Sequence, residues 1–168
     1  MNRRKIGWLV LFLALFGVLG YLREFFFLNM NNILYLKYYQ RESTMPVPAV
    51  MSVFLKYSYA QLYYSKYLFT ALWTGVFLAA NYFALVRLTA NRYLVRLLLI
   101  SYALLVSVAA VAMLYNYFVK SSYTGDEYTL SRWLMGVAQS PLICLILLAS
   151  ERLYKTTITH DQQGQKDI

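Results

Sequence analysis

From Tyr67 to Val86, from Leu97 to Val119 and from Trp133 to Ser150 the chain carries no charged side chain, and each run is apolar for most of its length. As α-helices, runs of about 20 residues cross the roughly 30 Å hydrocarbon layer of a bilayer. A further run, "IGWLVLFLALFGVLGYL" from Ile6 to Leu22, reaches that length if it continues through "REFFFL" to Leu28. Composition points the same way, with 60% hydrophobic and 14% charged residues among 168. Soluble domains carry roughly 25% charged residues, and one this small has too little interior to hide so much apolar surface.

The sequence therefore predicts an all-α, polytopic membrane protein. Four transmembrane helices, at about 6–28, 67–86, 97–119 and 133–150, make one domain over 1–152, and a polar cytoplasmic tail occupies 153–168. A signal peptide is the rival reading of the N-terminus, with a basic "MNRRK", an apolar run and Val18-Leu19-Gly20 as a small-residue cleavage site. Phe25 to Leu28 prolong the apolar stretch and favour a retained span.

Charge orients the bundle. The net charge of +9 comes from 16 Lys and Arg against 7 Asp and Glu. The cations cluster at the ends of the apolar runs, where they meet lipid headgroups, so nucleic acid is not an expected partner. The loop "RLTANRYLVR" holds Arg87, Arg92 and Arg96 and no acid, whereas "KSSYTGDEYTLSR" holds Asp126 and Glu127. Short basic loops stay inside. The expected placement is a bacterial inner membrane with both termini cytoplasmic.

Between the first and second spans lies a long outer segment, 29–66, rich in tyrosine: Tyr35, Tyr38, Tyr39, Tyr57, Tyr59, Tyr63 and Tyr64. Such rings favour the headgroup level and form an aromatic belt, or else a platform for a ligand or partner helix. Pro46 and Pro48 punctuate the segment, and Ser43 or Thr44 is available to cap a helix starting there. Apolar residues at Val53, Phe54, Tyr57 and Tyr64 then predict an amphipathic outer α-helix with period near 3.6.

Candidate chemistry is sparse. The only histidine, His160, lies in the tail, far from the single cysteine, Cys144, inside the fourth span. A Cys–His or Ser–His hydrolase is not expected. No residues have metal-ligand spacing, no cofactor is implied, and no carboxylate lies at depth within a span as proton-coupled carriers generally require, since Glu24 stands near the far interface. A polar site at the outer mouth of the bundle remains, built from Arg23, Glu24, Asn29, Asn32, Asp126 and Glu127. The competing account has Arg23 snorkelling to phosphates and Glu24 pairing locally.

The fourth span, "SRWLMGVAQSPLICLILLAS", carries Gln139, Ser140 and Pro141 at its middle. Pro141 removes a backbone donor and crowds the carbonyl of Val137, so a kink is expected. Gln139 has Asn81 or Thr74 of the second span, or Ser101, Ser107 or Asn116 of the third, as partners across the bundle. Asn81, Asn116, Gln139, Ser140 and Pro141 thus read as helix–helix packing, helped by close approach at small residues such as Gly75, Ala79, Ala80, Ala109, Ala110 and Gly136. A ligand pocket at the kink is the alternative.

With Arg23 and Glu24 near the end of the first span, Arg132 late in the chain and Gln139-Ser140-Pro141 beyond it, the chain resembles small bacterial membrane proteins associated with exosortase systems. The resemblance implies an accessory role. It brings no activity with it, and the Cys, Arg and His constellation of the exosortase itself is not present. The function expected from the sequence is a non-enzymatic accessory or assembly protein that docks to a larger membrane enzyme or secretion component. A small oligomeric transporter or lipid-binding membrane protein is the alternative. The partners expected are membrane lipids, with a membrane-protein partner or further copies of the chain.

Overall fold

The computed structural model describes residues 3–40, 46–89, 91–119 and 129–164; the side chains at 116, 117, 119, 129 and 155–164 lie outside that description. Within it every regular element is helical: α1 (Arg3–Tyr39), a 3₁₀ helix (Ala49–Lys56), α2 (Tyr59–Leu88), α3 (Arg92–Val119), α4 (Thr129–Ala138) and α5 (Leu142–Gly164). Three helices are long and apolar enough to cross a membrane, and a fourth span exists if α4 and α5, bent by 61° at their junction, count as one. Large apolar side chains face outward along all of them, among them Val10, Leu68, Phe83, Leu104, Val111 and Ile146. Only a hydrocarbon surround makes that arrangement favourable.

α1 and α2 run antiparallel. Arg87 lies 5.2 Å over the Trp8 ring at one end, Phe16 stacks on Phe77 at 6.3 Å, Phe26 meets Phe69 at 4.6 Å, and Tyr38 meets Tyr59 at 5.6 Å at the other. These contacts define an arginine end and a tyrosine end of the molecule. With 37 and 30 residues, α1 and α2 measure about 55 and 45 Å, well beyond a hydrocarbon layer of about 30 Å. Two separate cores follow. One lies among the helices, around Phe16, Phe77, Leu85, Leu98, Tyr102 and Ile143. The other forms a cap at the tyrosine end, where Met30, Ile33 and Leu34 of α1 close on Met51 and Leu62.

The cap differs from the sequence expectation in three respects. First, α1 does not end near Leu28 but continues to Tyr39, since no Pro or Gly interrupts 21–39 and Asn29 returns its amide to the Phe25 carbonyl at 2.7 Å. Gln40, at φ 50°, ends the helix in the left-handed region. Second, the amphipathic α-helix expected from Val50 is a 3₁₀ helix over Ala49–Lys56. Its three-residue period aligns Met51 and Phe54 toward the core and leaves Val53 exposed, and Lys37 donates to the Leu55 carbonyl at 2.8 Å. Its N-cap is Pro48, while Ser43 and Thr44 lie outside the described residues. Third, Tyr64, expected on the same apolar face, is 71% exposed and belongs to α2. That helix starts from a reciprocal cap between Ser58 and Gln61, an S-x-x-Q pattern readable from the sequence.

The expected kink at Pro141 is a complete break. Ser140 caps both sides of it, donating to the Val137 carbonyl at 2.7 Å and accepting from Leu142 N–H at 3.3 Å. Pro141 stands immediately before α5, where its carbonyl accepts from Leu145 N–H at 3.0 Å.

Candidate functional site

Breaking a helix inside a bundle strands backbone carbonyls that must find donors. Tyr102 of α3 donates to the Ala138 carbonyl at 2.7 Å, and Asn81 of α2 donates to the Ser140 carbonyl at 3.2 Å. The Asn81 amide nitrogen also lies 2.8 Å from both the Phe77 carbonyl and the Tyr102 hydroxyl, and its carbonyl oxygen is buried with no partner. Rotating the amide would set that oxygen against two carbonyls, so the arrangement stands.

Gln139, almost wholly buried, joins three helices. Its amide nitrogen donates to the Thr74 hydroxyl at 2.9 Å and the Thr70 carbonyl at 3.0 Å, and its oxygen accepts from Arg23 Nε at 2.7 Å. Its partner on α2 is therefore Thr74 and not Asn81, and α3 contributes none of these bonds. Arg23 turns inward across the bundle to meet it, and also lies 3.9 Å from Glu24.

Of the residues expected at a polar outer mouth, Arg23 is drawn to Gln139. The Glu24 side chain is 73% exposed, Asn29 bonds its own helix, and Asn32 is half-buried on α1. Asp126, Glu127 and the Asn116 side chain lie outside the described residues. What the break gathers is a polar seam of Arg23, Gln139, Thr74, Asn81, Tyr102 and Ser140, whose bonds are used in holding helices together. Arg23 itself counts as half-buried.

The open space is elsewhere. A cavity of about 560 Å³ lies between α2, α3 and α4, within the usual range for small-molecule sites. Its α2 wall is the stripe Tyr63, Lys66, Tyr67, Thr70, Ala71 and Thr74. Val106, Ala109, Ala110 and Met113 of α3 form an apolar floor, and Ser131, Arg132 and Met135 of α4 close the third side. It runs about 12 Å along α2 from Lys66 to Thr74, polar at one end and largely apolar within. Lys66 is half-buried there and Arg132 exposed, and neither has an acidic partner among the described residues.

Sequence reasoning placed neither Lys66 nor Arg132 in a candidate site. The signal that locates them is the spacing of 63, 66, 67, 70, 71 and 74, one helical face of polar or small residues along a greasy span. The small residues also act differently from expectation. A Cβ built on Gly75 or Gly136 meets nothing within 4 Å, so neither marks close helix approach within one chain. Ala71 and Ala110, both exposed, border the cavity, whereas Ala80 and Ala109 are packed. Compared with known protein families, curated proteins and solved structures, the chain finds no match in any of the three.

Proposed function

We propose that this chain is a four-span integral protein of a bacterial inner membrane, with both termini cytoplasmic, that binds an amphiphilic lipid in the cavity between α2, α3 and α4 without turning it over. The fourth span is supported by the course of α4 and α5 along α2. Arg132 shares the cavity with Lys66, and Thr89 beyond the far end of α2 donates to Glu151 at 3.0 Å, so the broken pair covers the same depth as its neighbour. Lys66 and Arg87 stand about 30 Å apart along α2, the thickness of a hydrocarbon layer. The acid-free loop of Arg87, Arg92 and Arg96 supports an inward arginine end, which sets the cap and the mouth of the cavity at the outer leaflet.

The observation that carries the reading is the contrast between the two polar regions. Apart from the Asn81 oxygen, the seam at the break spends its hydrogen bonds on itself, whereas the cavity combines apolar volume with two cations that have no acidic partner among the described residues, at a depth where lipid heads and chains meet. Purification in a mild detergent followed by native mass analysis tests it. The wild-type chain should retain a lipid-sized adduct, and Met113→Trp, which fills the apolar floor, should not. A wild-type chain that carries no more lipid than Met113→Trp would sink the proposal.

A docking role with a larger membrane partner is the second reading. It is favoured by the exposed tyrosines Tyr35, Tyr38, Tyr39 and Tyr64 that the cap presents beyond the hydrocarbon. Gentle extraction should then recover a large membrane protein in stoichiometric amount, and replacing Tyr38 and Tyr64 by Ser should release it.

A further inference from the structure

Resting on the amphiphile-binding reading, we propose that the cavity selects its lipid by a phosphomonoester headgroup, held by Lys66 and Arg132 at the mouth while the chains lie over Ala109, Ala110 and Met113. Four features point to that head. Two cations share one cavity, and no carboxylate among the described residues pairs with either. Like charges facing each other with no counter-ion are unfavourable at a membrane boundary, and an anion of matching charge removes the conflict. Arg132 offers a planar fork and Lys66 a point charge, the two donor types that bind phosphate oxygens.

Neutral donors complete the set. Tyr63 and Tyr67, whose hydroxyls lie 3.0 Å apart, both line the cavity and add neutral hydroxyls to the two cations. Ser131 and Arg132 belong to the first turn of α4, whose N–H groups and positive dipole end also favour an anion. A phosphomonoester carries close to two negative charges at neutral pH, because its second proton leaves near pH 6. Phosphodiester lipids carry one, and zwitterionic lipids none in net. Two cations therefore match the monoester best. The apolar floor adds the requirement for a chain, which free phosphate lacks.

The experiment uses the full chain in nanodiscs of phosphatidylcholine doped with dioleoyl phosphatidic acid or with dioleoyl phosphatidylglycerol, followed by native mass analysis of retained lipid. Phosphatidic acid should be retained about tenfold over phosphatidylcholine, with phosphatidylglycerol between them. Lys66→Gln and Arg132→Gln should each bring phosphatidic acid down to the phosphatidylglycerol level without altering phosphatidylcholine. Lys66→Arg and Arg132→Lys should keep the preference, which separates lost charge from lost folding. Below pH 6 the advantage of phosphatidic acid over phosphatidylglycerol should vanish. Millimolar inorganic phosphate should not displace the lipid, and displacement would assign the site to free phosphate instead. Equal retention of phosphatidic acid and phosphatidylcholine would overturn the headgroup assignment alone, provided Met113→Trp still abolishes both. Retention unaffected by Met113→Trp would instead remove the lipid site itself.

Discussion

Replacing Gln139 by leucine tests whether Arg23 is anchored inside the bundle or merely leans toward the lipid headgroups. The substitution removes the 2.7 Å bond from Arg23 and two bonds to α2, at 2.9 and 3.0 Å. A hydrogen bond to a charged group contributes about 1.5–3 kcal/mol, and interhelical bonds in membrane proteins average about 0.6 kcal/mol each. The single variant should therefore lose about 3 kcal/mol, most of it from a guanidinium left with only the exposed Glu24 carboxylate 3.9 Å away. Arg23→Met together with Gln139→Leu removes that stranded charge, and the pair should lose only about 1 kcal/mol, because deleting both partners is far milder than deleting one. Reversible unfolding in mixed micelles of dodecyl sulfate and a mild detergent, followed by far-UV circular dichroism, gives the four free energies of the cycle. Arg23→Met alone leaves the buried Gln139 oxygen without its donor and should lose about 1 kcal/mol. The expected coupling is therefore about 3 kcal/mol, and a coupling within about 0.5 kcal/mol of zero, the usual limit of additivity, would mean that Arg23 reaches phosphates and not Gln139.

Tyr102→Phe should cost about 1–3 kcal/mol in the same titration, because it strands the Ala138 carbonyl at the break and takes one acceptor from Asn81. Gly75→Ala should leave stability unchanged or raise it by up to about 1 kcal/mol, since the added methyl meets no atom and alanine favours the helix; a clear loss would place a second copy of the chain against that face. Asn91→Cys, in a Cys144→Ser background, should react with a membrane-impermeant maleimide only in inverted vesicles, and labelling in intact cells would reverse the topology proposed above.

Much of the bundle was readable because charge-free length is a local property. The runs at Tyr67, Leu97 and Trp133 announce helices without reference to one another. The end of the first helix was not readable in that way. Arg23, Glu24 and the asparagines look like a membrane boundary, yet the Arg23 guanidinium is satisfied by Gln139, 116 residues later. No local pattern encodes such a pairing. The 3₁₀ helix was misread because Val53, Phe54 and Tyr57 fit a 3.6-residue period, while the buried pair is Met51 and Phe54. Its register is fixed by the Phe26–Phe54–Phe69 cluster, with centroids 4.6 to 6.0 Å apart, which joins three elements distant in sequence. For the candidate site, the α2 stripe was present in the sequence. Its meaning depended on small α3 residues leaving space opposite it, which only the packing reveals.

One pair of helices holds two cores, and on the membrane placement proposed above the two face different solvents. Around Phe77 and Leu98 the surroundings are lipid chains, as apolar as the core itself, so cohesion there comes from dispersion and hydrogen bonds. Around Met30, Ile33, Met51 and Leu62 that placement puts headgroups and water, where burial carries the heat-capacity signature of hydrophobic association. Calorimetry on the intact protein should accordingly resolve two regimes. Loosening of the cap, triggered selectively by Met51→Ala, should show a large positive heat-capacity increment and weaken on cooling, while separation of the lipid-facing helices should show almost none.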